Sequence, residues 1–506
     1  MRPISLEEIL RIVQGSWLGN VAQPPSAVRR EAAIGNVAQP PSAVRREAAT
    51  VSRVTIDSRK AAPGDLFVAI RGAQFDGHDF LPQAAAAGCT AAIVESGRAI
   101  DPAVAGTFAA VISVPSTLEA LANLARLHRQ RLRGHVIGVT GSVGKTTVKG
   151  MIHHILSAHK TGSAAPKSFN NNIGVPLTLL AAGEADDYVV CELGSNAPGE
   201  IAALTRIAQP DIAVITAVGA SHLEKLGSVQ GVAAEKVSIL SLLEGRHGVG
   251  ILWADSEVLR QAAGGCKTSL IRFGAAPDAD VRLTGWESDG LSQRFQVNDG
   301  PWFTLPLAGR HNATNALAAI AAAMQLGLSL EQAGEALATI AAVDMRLQAR
   351  TAGDVTVIND AYNANPMSMA AAIDVLGRLQ GRRRVFVAGD MRELGENSPR
   401  LHLELGRRLG GTGIDVLVTV GALGGLIAQG AQETGGASLK IHRYPSAADA
   451  AAHVDEWLRG GDTVLVKASR GVAAECIVET IISRGLPTPH SAPAGAPVTA
   501  PVGGRP

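Results

Sequence analysis

The stretch HVIGVTGSVGKTT, residues 135–147, has the pattern of a buried strand, a short loop and the start of a helix. Its apolar first half predicts a strand of a parallel sheet, and Gly141 and Gly144 permit the tight turn that follows. In such a loop, backbone N–H groups at a helix N-terminus bind phosphate oxygens, a lysine reaches the outer phosphates and a threonine hydroxyl binds Mg²⁺. The predicted nucleotide-binding residues are Gly141, Ser142, Val143, Gly144, Lys145, Thr146 and Thr147.

Strand and helix patterns alternate on both sides of this loop. Apolar runs such as YVVCEL and DIAVITAV, separated by helical segments such as residues 117–131, are typical of an α/β fold with mostly parallel sheets. The later runs VTVIND, RRVFVAGD, IDVLVTVG and DTVLVKAS predict a Rossmann-like sheet that lacks the GxGxxG fingerprint. The predicted division is an N-terminal domain over 1–133, a central nucleotide-binding domain over 134–308, a C-terminal domain over 309–485 and a disordered tail over 486–506.

The N-terminal domain contains an internal repeat. Residues 19–34 (GNVAQPPSAVRREAAI) recur as residues 35–50 (GNVAQPPSAVRREAAT), with only the last position changed. Stacked repeats need an apolar face, and this Pro-Pro, Arg-Arg unit offers almost none. We therefore interpret residues 19–50 as a mobile surface insertion, with a partner-binding arm as the alternative.

Composition argues against several classes of protein. Lys and Arg total 46 against 45 Asp and Glu, which does not indicate a general nucleic-acid binder. The four cysteines include no CxxC pair, which favours a reducing compartment without a zinc site or disulfide framework. Glu7 and Glu8 stand where a secretory signal needs apolar residues, and the longest apolar stretch, residues 314–330, is too short and polar for a membrane span. We expect a cytoplasmic protein.

A magnesium-nucleotide site also needs an acidic group at the end of a neighbouring strand. Glu192, in YVVCEL, is placed for that role. His222, after the next strand, is either a further metal ligand or a histidine satisfied within its loop. For Lys236, in AAEKVSIL, a solvated helix lysine is the simpler interpretation.

Amide side chains mark two further segments. Asn170 and Asn171 precede a Gly-x-Pro turn, where they either stabilise the loop or bind a substrate, because amides contact sugars and peptides without adding charge. Asn312, in GRHNATNALAA, is predicted to cap a helix N-terminus, a position that also suits nucleotide binding.

Polar clusters follow three strands of the C-terminal block. They are NDAYNANP at residues 359–366, GDM at residues 389–391 and KASR at residues 467–470. The carboxyl ends of parallel strands lie along one edge of a doubly wound sheet, which is where ligands bind. These clusters predict a second ligand-binding region.

Together, these motifs resemble those of the Mur ligases. TGSVGKTT, NNNIGVP, GRHNATNALAA, YNANP, GDMRELG and KASR occur in the order and spacing of that family, and DSRxxxPGDLF begins at Asp57. The resemblance implies the three-domain α/β Mur ligase architecture, with ATP and Mg²⁺ as cofactors. It also implies that D-alanyl-D-alanine is added to UDP-N-acetylmuramoyl-tripeptide through an acyl phosphate, the last cytoplasmic step in making the peptidoglycan precursor. The implied partners are small molecules without nucleic acid, and the expected state is a monomer.

The resemblance also implies residue roles. Lys236 is the candidate for the carbamylated lysine that bridges magnesium in related ligases. The implied catalytic residues are Lys145, Glu192, His222, Lys236 and Lys467, with Thr146, Glu192 and His222 around the metal. The implied nucleotide contacts beyond the loop are Asn312, Arg346, Asp360 and Asn363, and the implied substrate contacts are Ser58, Arg59, Asn170, Asn171, Ser469 and Arg470.

This sequence departs from the family pattern in three places. The usual KGSR is KASR, so Ala468 adds a methyl group; Ala361 stands in place of a serine; and the insertion lies in the domain expected to hold the uridine. Another amino-acid ligase of the same family is one alternative, which the YNANP element disfavours. An ATP-binding regulator without ligase activity is another.

Overall fold

The computed structural model describes residues 2–18 and 49–484. The predicted mobile insertion therefore lies outside the described residues except for Ala49 and Thr50, and the predicted tail lies outside them altogether. Both flanks of the insertion are anchored in antiparallel pairs: Ser16–Trp17 pairs with Ala110–Val114, and Thr50–Val51 pairs with Ile4–Ser5.

The chain forms two compact units. The first comprises Met1–Trp286, Arg294–Leu305 and Arg310–Ile340, and the second comprises Glu287–Gln293, Pro306–Gly309 and Ala341–Pro506. The predicted C-terminal domain began at residue 309, whereas the helix Arg310–Met324 belongs to the first unit, where it packs on the helix Lys145–Ser157. The physical reason is its composition: every residue from Ala316 to Ala323 is buried, so the helix needs cover on several sides.

A five-stranded sheet lies in the N-terminal part of the first unit. All its pairings are parallel except at the first strand, and the carboxyl ends of Arg53–Thr55 and Asp65–Val68 therefore lie at one edge. Within the described residues its order is Ser16–Trp17, Ala110–Val114, Ala91–Glu95, Asp65–Val68 and Arg53–Thr55.

A nine-stranded sheet follows along the chain. Its central strand, His135–Thr140, lies between Ile212–Ile215 and Tyr188–Glu192 and is parallel to both. The residues of these two neighbours are all buried, as expected for strands covered on both faces. Within the described residues its order is Trp302–Leu305, Gln293–Val297, Val281–Ser288, Ser269–Gly274, Val249–Trp253, Ile212–Ile215, His135–Thr140, Tyr188–Glu192 and Gly162–Ala164.

The second unit contains a six-stranded sheet that is parallel apart from its first strand. Successive residues of the strand Asp462–Lys467 point to opposite faces: Val464 and Val466 join one apolar cluster, while Leu465 joins the other. This double burial gives the Rossmann-like layering predicted from the sequence. Within the described residues the order is Gln348–Ala352, Val355–Asn359, Asp462–Lys467, Arg383–Gly389, Val416–Val420 and Lys440–Tyr444.

Helices cover these sheets, and the helix predicted over residues 117–131 is confirmed as Thr117–Arg131, with Ser116 accepting a hydrogen bond from Glu119 N–H at its start. Among the described residues, no helix has both the length and the apolarity needed to cross a membrane. The described α-helices of the first unit are Leu6–Val13, Leu81–Ala86, Pro102–Ala105, Thr117–Arg131, Lys145–Ser157, Gly174–Ala181, Glu200–Ala208, Leu223–Leu226, Val229–Val237, Glu257–Ala263, Arg310–Met324 and Leu330–Ala336. Those of the second unit are Pro366–Leu376, Ser398–Gly410, Gly424–Thr434, Ala447–Ala452, Val454–Trp457 and Glu475–Arg484.

Candidate functional site

The loop between the strand His135–Thr140 and the helix Lys145–Ser157 has two positions that only glycine fits. Gly141 has φ +147°, and a Cβ there would lie 1.9 Å from Thr216 Oγ1. Gly144 has φ +88°, and its Cβ would lie 2.7 Å from Asn315 Oδ1. The predicted strand, loop and helix are therefore confirmed, and the two glycines let the loop backbone pack directly against Thr216 and Asn315.

Hydrogen bonds fix the shape of this loop. Ser142 N–H donates to Ala217 O at 2.7 Å, and Thr216 Oγ1 donates to Val143 O at 2.6 Å. The following segment is tied in as well, because Ser221 Oγ donates to Ser142 Oγ at 2.7 Å. These hydrogen bonds hold the loop backbone in a defined conformation.

The first turn of the helix supplies the groups that a phosphate and a cation need. Lys145 Nζ donates to Gly141 O at 2.6 Å, so its ammonium lies over the loop. Thr146 is buried, with its Oγ1 3.4 Å from Ser168 Oγ, and Thr147 is half-buried beside it. A lysine over a glycine-rich loop at a helix N-terminus is suited to hold polyphosphate.

Glu192 ends the neighbouring strand, in register with Val139. Its side chain is 1% exposed, and Oε1 accepts a hydrogen bond from Asn170 Nδ2 at 3.0 Å. Oε2 has no hydrogen-bond partner and lies 3.3 Å from Lys149 Nζ. A buried carboxylate with one oxygen not hydrogen-bonded fits the acidic ligand of a magnesium site.

The two asparagines of the NNNIGVP segment have different roles. Asn170 reaches Glu192, and its amide packs where a Cβ on Gly194 would clash at 2.8 Å. Asn171 Oδ1 instead accepts from Ile173 N–H and Gly174 N–H at 3.2 and 2.9 Å, which stabilises the start of the helix Gly174–Ala181. Loop chemistry therefore accounts for Asn171, whereas Asn170 lies in the candidate site.

His222 adopts a left-handed backbone with φ +52° directly after Ser221, at the start of the helix Leu223–Leu226. Within the described part of the chain, no three His, Cys, Asp or Glu side chains form a ready-made metal site. This fits Mg²⁺, which keeps several waters and binds through one or two protein ligands plus substrate phosphates.

The interpretation of Lys236 as a solvated lysine is wrong. Its side chain is fully buried in the helix Val229–Val237, and Nζ donates to Ser195 Oγ at 2.7 Å. Burial, followed by the nearby charge of Lys145, lowers the pKa of Lys236 to about 7. A neutral amine is therefore available near neutral pH, as carbamylation requires.

The capping role predicted for Asn312 is also wrong, because the helix begins at Arg310 and Asn312 lies within its first turn. Asn312 is buried, and its Oδ1 accepts from Asn315 Nδ2 at 3.1 Å. Asn315 in turn lies against Gly144, so Asn312 is connected to the phosphate loop through Asn315. The sequence signal for this contact is the spacing of Asn312 and Asn315, because residues three apart lie on the same face of a helix.

In the second unit, the polar clusters that follow Val355–Asn359 and Asp462–Lys467 come together. Lys467 is buried, and its Nζ donates to Asp360 Oδ2 at 2.6 Å and to Asn363 O at 2.9 Å. Arg346 lies over the ring of Tyr362, 4.1 Å from its centroid. Its neighbours Met345 and Leu347 both have left-handed backbones, with φ +56° and +47°. Backbone strain of this kind clusters at functional sites.

The KASR segment is held by the GDMRELG loop. Ser469 is buried, and its Oγ accepts from Arg392 N–H at 2.9 Å, while Arg392 Nη2 donates to Gly471 O at 2.9 Å. The Arg470 side chain is 60% exposed, with Nη1 2.9 Å from Glu475 Oε1. Ser469 is thus fixed in place, and Arg470 is accessible to a ligand.

Ser58 and Arg59 lie in a short 3₁₀ helix at the carboxyl edge of the five-stranded sheet. Arg59 makes a paired contact with Asp57, with N–O distances of 2.8 and 2.9 Å, which lowers the pKa of the Asp57 carboxyl. The Arg59 side chain remains 86% exposed. An anchored but exposed guanidinium suits recognition of an anionic group.

Comparison with known proteins places this geometry in a family. The description "Mur ligase family, catalytic domain" matches residues 50–129, "Mur ligase middle domain" matches residues 139–323, and "Mur ligase, glutamate ligase domain" matches residues 345–470. The UDP-N-acetylmuramoyl-tripeptide--D-alanyl-D-alanine ligase of Bacillus subtilis is 39% identical over 439 residues, which cover 86% of this chain and 93% of that protein.

The chain belongs to the Mur ligase family.

Solved Mur ligases share its fold. A crystal structure of MurF from Acinetobacter baumannii aligns with a TM-score of 0.79 at 31% identity, over 96% of this chain and 99% of that one. MurF from Thermotoga maritima, solved in complex with ADP, aligns with a TM-score of 0.73 at 28% identity, over 86% and 97%. The predicted three-domain α/β Mur ligase fold is thereby confirmed.

Ala468, which departs from the Mur ligase pattern KGSR, packs against a glycine. The Ala468 side chain is buried, and a Cβ added to Gly389 would lie 2.5 Å from its methyl group. The methyl group therefore fills space beside a glycine on the neighbouring strand. The Lys467–Asp360 contact is intact beside it.

Proposed function

We propose that the chain is an ATP-dependent ligase that joins D-alanyl-D-alanine to UDP-N-acetylmuramoyl-tripeptide. The observation that carries the proposal is the 39% identity to the B. subtilis ligase of that name over 86% of this chain, with the phosphate loop geometry intact. The family likeness extends over both units, and the two predicted catalytic lysines Lys236 and Lys467 are buried, one in each unit.

Amide formation from a carboxylate needs activation, because the carboxylate repels a nucleophile and oxide is a poor leaving group. A carboxylate oxygen of the tripeptide attacks the γ-phosphorus of ATP, and ADP leaves. The amine of D-alanyl-D-alanine then attacks the acyl carbon and loses a proton. Phosphate leaves with the carboxylate oxygen as the amide forms.

The residues of the first unit stabilise the negative charge that develops during this phosphoryl transfer. The Lys145 ammonium and the helix N-terminus face the phosphates and offset the negative charge that develops there. Thr146 and Glu192 would hold Mg²⁺, which when bound polarises the phosphate oxygens. The fixed loop keeps these donors oriented before the substrate arrives.

We assign Lys236 as the carbamylated lysine of this family. Its Nζ adds to the carbon of CO₂ and releases a proton to water, which requires the neutral amine that a pKa of about 7 makes available. Ser195 Oγ, 2.7 Å away, holds the amine in place.

In the second unit, Ser469 and Arg470 are the proposed dipeptide and phosphate contacts, and Arg346, Asp360 and Asn363 the proposed nucleotide contacts. In the first unit, Asn312 is a proposed nucleotide contact, and Ser58 and Arg59 are proposed to hold the UDP end. That the protein is a cytoplasmic monomer that acts on small molecules stays a prediction.

The test is phosphate release by the full chain with ATP and Mg²⁺, with the two substrates added separately and together. Release should require both substrates and should fall by about 10³-fold or more in Lys145→Ala. Lys267→Ala removes an exposed lysine of the same unit and should retain the rate. Release that does not depend on D-alanyl-D-alanine would contradict the proposal and favour another Mur ligase or an ATP-binding regulator.

A further inference from the structure

The helix of the phosphate loop carries a second lysine that the proposed reaction does not use. Lys149 lies four residues after Lys145, so the two side chains share one face of the helix. The Lys149 side chain is only 7% exposed. A buried ammonium on this face needs a reason, because moving it out of water is costly unless its charge is compensated.

Lys149 contacts two other segments. Its Nζ lies 3.3 Å from Glu192 Oε2 and donates to the backbone carbonyl of Lys167. Lys167 has φ +48°, a left-handed conformation that costs energy for a residue other than glycine. The next residue, Ser168, places its hydroxyl 3.4 Å from Thr146 Oγ1. One ammonium therefore connects Glu192 to the strained turn that faces Thr146.

The Glu192 oxygen next to Lys149 is also the one available to a metal. Oε1 is taken by Asn170 Nδ2, while Oε2 has no hydrogen-bond partner. At 1% exposure, the carboxylate has little water to compensate its charge. Lys149 is the cation that the structure places against it.

We propose that Lys149 is the internal counter-charge of Glu192: it holds the carboxylate in position before nucleotide binds and weakens binding of a divalent cation in the absence of nucleotide. A positive charge a few ångströms from the metal-facing oxygen repels a divalent cation, whereas polyphosphate outweighs that repulsion. Magnesium would then enter with the nucleotide. The inference rests on the proposed nucleotide site, and not on the identity of the amine substrate.

The test measures binding of Mn²⁺ to the full chain by electron paramagnetic resonance, with and without ADP. Lys149→Met should bind Mn²⁺ about tenfold more tightly than the wild type without ADP, and the difference should shrink when ADP is present. Lys149→Arg, which keeps the charge, should behave like the wild type. Lys267→Met controls for the change in net charge at an exposed site and should leave Mn²⁺ binding unchanged. Unchanged or weaker binding by Lys149→Met would overturn the proposal.

A second measurement does not use the single variant Lys149→Met. Glu192→Gln leaves the buried ammonium without its carboxylate, whereas the double variant Lys149→Met/Glu192→Gln removes both charges. The double variant should therefore melt at the higher temperature, and the reverse order would overturn the counter-charge role. If phosphate release by the wild type does not depend on the dipeptide, the ligase proposal is contradicted, but the results of these two measurements on Lys149 still hold.

Discussion

Lys236 in the first unit and Lys467 in the second are both almost completely buried, and the partners of these two lysines differ. Lys236 donates to a neutral hydroxyl, Ser195 Oγ at 2.7 Å, with the charge of Lys145 nearby. Lys467 donates to a carboxylate, Asp360 Oδ2 at 2.6 Å. Burial is the main cause that lowers the pKa of both amines. The strongest charge effect opposes the shift at Lys467, where it comes from Asp360, and adds to the shift at Lys236, where it comes from Lys145 and is opposed by the weaker effects of Glu235 and Glu200.

The group that accepts the hydrogen bond therefore distinguishes the two lysines: Lys467, paired with a carboxylate, holds two strand ends together, whereas Lys236, bonded to a hydroxyl, has an amine that can react. Lys467 and Asp360 form a buried ion pair that joins the ends of two neighbouring strands. Lys236 has an amine that loses its proton near neutral pH. Burial by itself does not distinguish the two roles.

The largest expected effect comes from breaking the ion pair. Asp360→Asn leaves the Lys467 ammonium buried without its carboxylate, which should lower the free energy of unfolding by about 3–5 kcal/mol. Ser195→Ala, the matched change at the other lysine, should cost only about 1–2 kcal/mol because the hydrogen bond that is lost has an uncharged hydroxyl as its acceptor. Urea denaturation of the full chain measures both variants. Equal losses would remove the distinction between the two lysines.

The pH dependence of stability sharpens the comparison at Lys236. Its folded pKa of about 7 lies below the ordinary value of 10.5, so between these values the unfolded chain binds a proton that the folded chain has lost. Stability from this group therefore rises with pH across that window, by about 2 kcal/mol from pH 7 to pH 9. Below pH 7 both states are protonated, and the contribution levels off.

The measurement is the difference between the free energies of unfolding of the wild type and Lys236→Met in CO₂-free buffers at pH 7, 8 and 9. The wild type should gain stability relative to the variant as pH rises. A flat or falling difference would show that Lys236 keeps its proton in the folded state.

The smallest effect is expected beside Lys467. Ala468→Gly removes a buried methyl group that packs at Gly389 and loosens the backbone, so the free energy of unfolding should fall by about 1 kcal/mol. The ligation rate should change by less than about threefold, because the Lys467–Asp360 pair does not involve the methyl group. A rate loss of tenfold or more, measured as phosphate release, would mean that the methyl group positions Lys467 or Ser469.

Local signals were enough to predict much of the fold and part of the site. The helix Thr117–Arg131 followed from its amphipathic period, and the phosphate loop followed from its glycines and the flanking strand and helix. Glu192 followed from its position at a strand end, and the structure places it in register with Val139.

The differences between prediction and structure came from contacts between distant segments and from the position of one helix start. The burial of Lys236 depends on the segment that carries Ser195, which no local pattern indicates. Asn312 was assigned as a cap because helix starts are poorly determined by sequence, and the helix in fact begins two residues earlier. The assignment of that helix to the first unit depends on its packing against the helix Lys145–Ser157.

The most direct test of the central claim follows one oxygen atom. UDP-N-acetylmuramoyl-tripeptide with ¹⁸O at both oxygens of the carboxylate to be activated is incubated with ATP, Mg²⁺, D-alanyl-D-alanine and the full chain, and the released phosphate is analysed by mass spectrometry. The account predicts one ¹⁸O atom in phosphate for each amide formed. Unlabelled phosphate would show that ATP is cleaved without acyl transfer through the carboxylate and would contradict the proposed ligase.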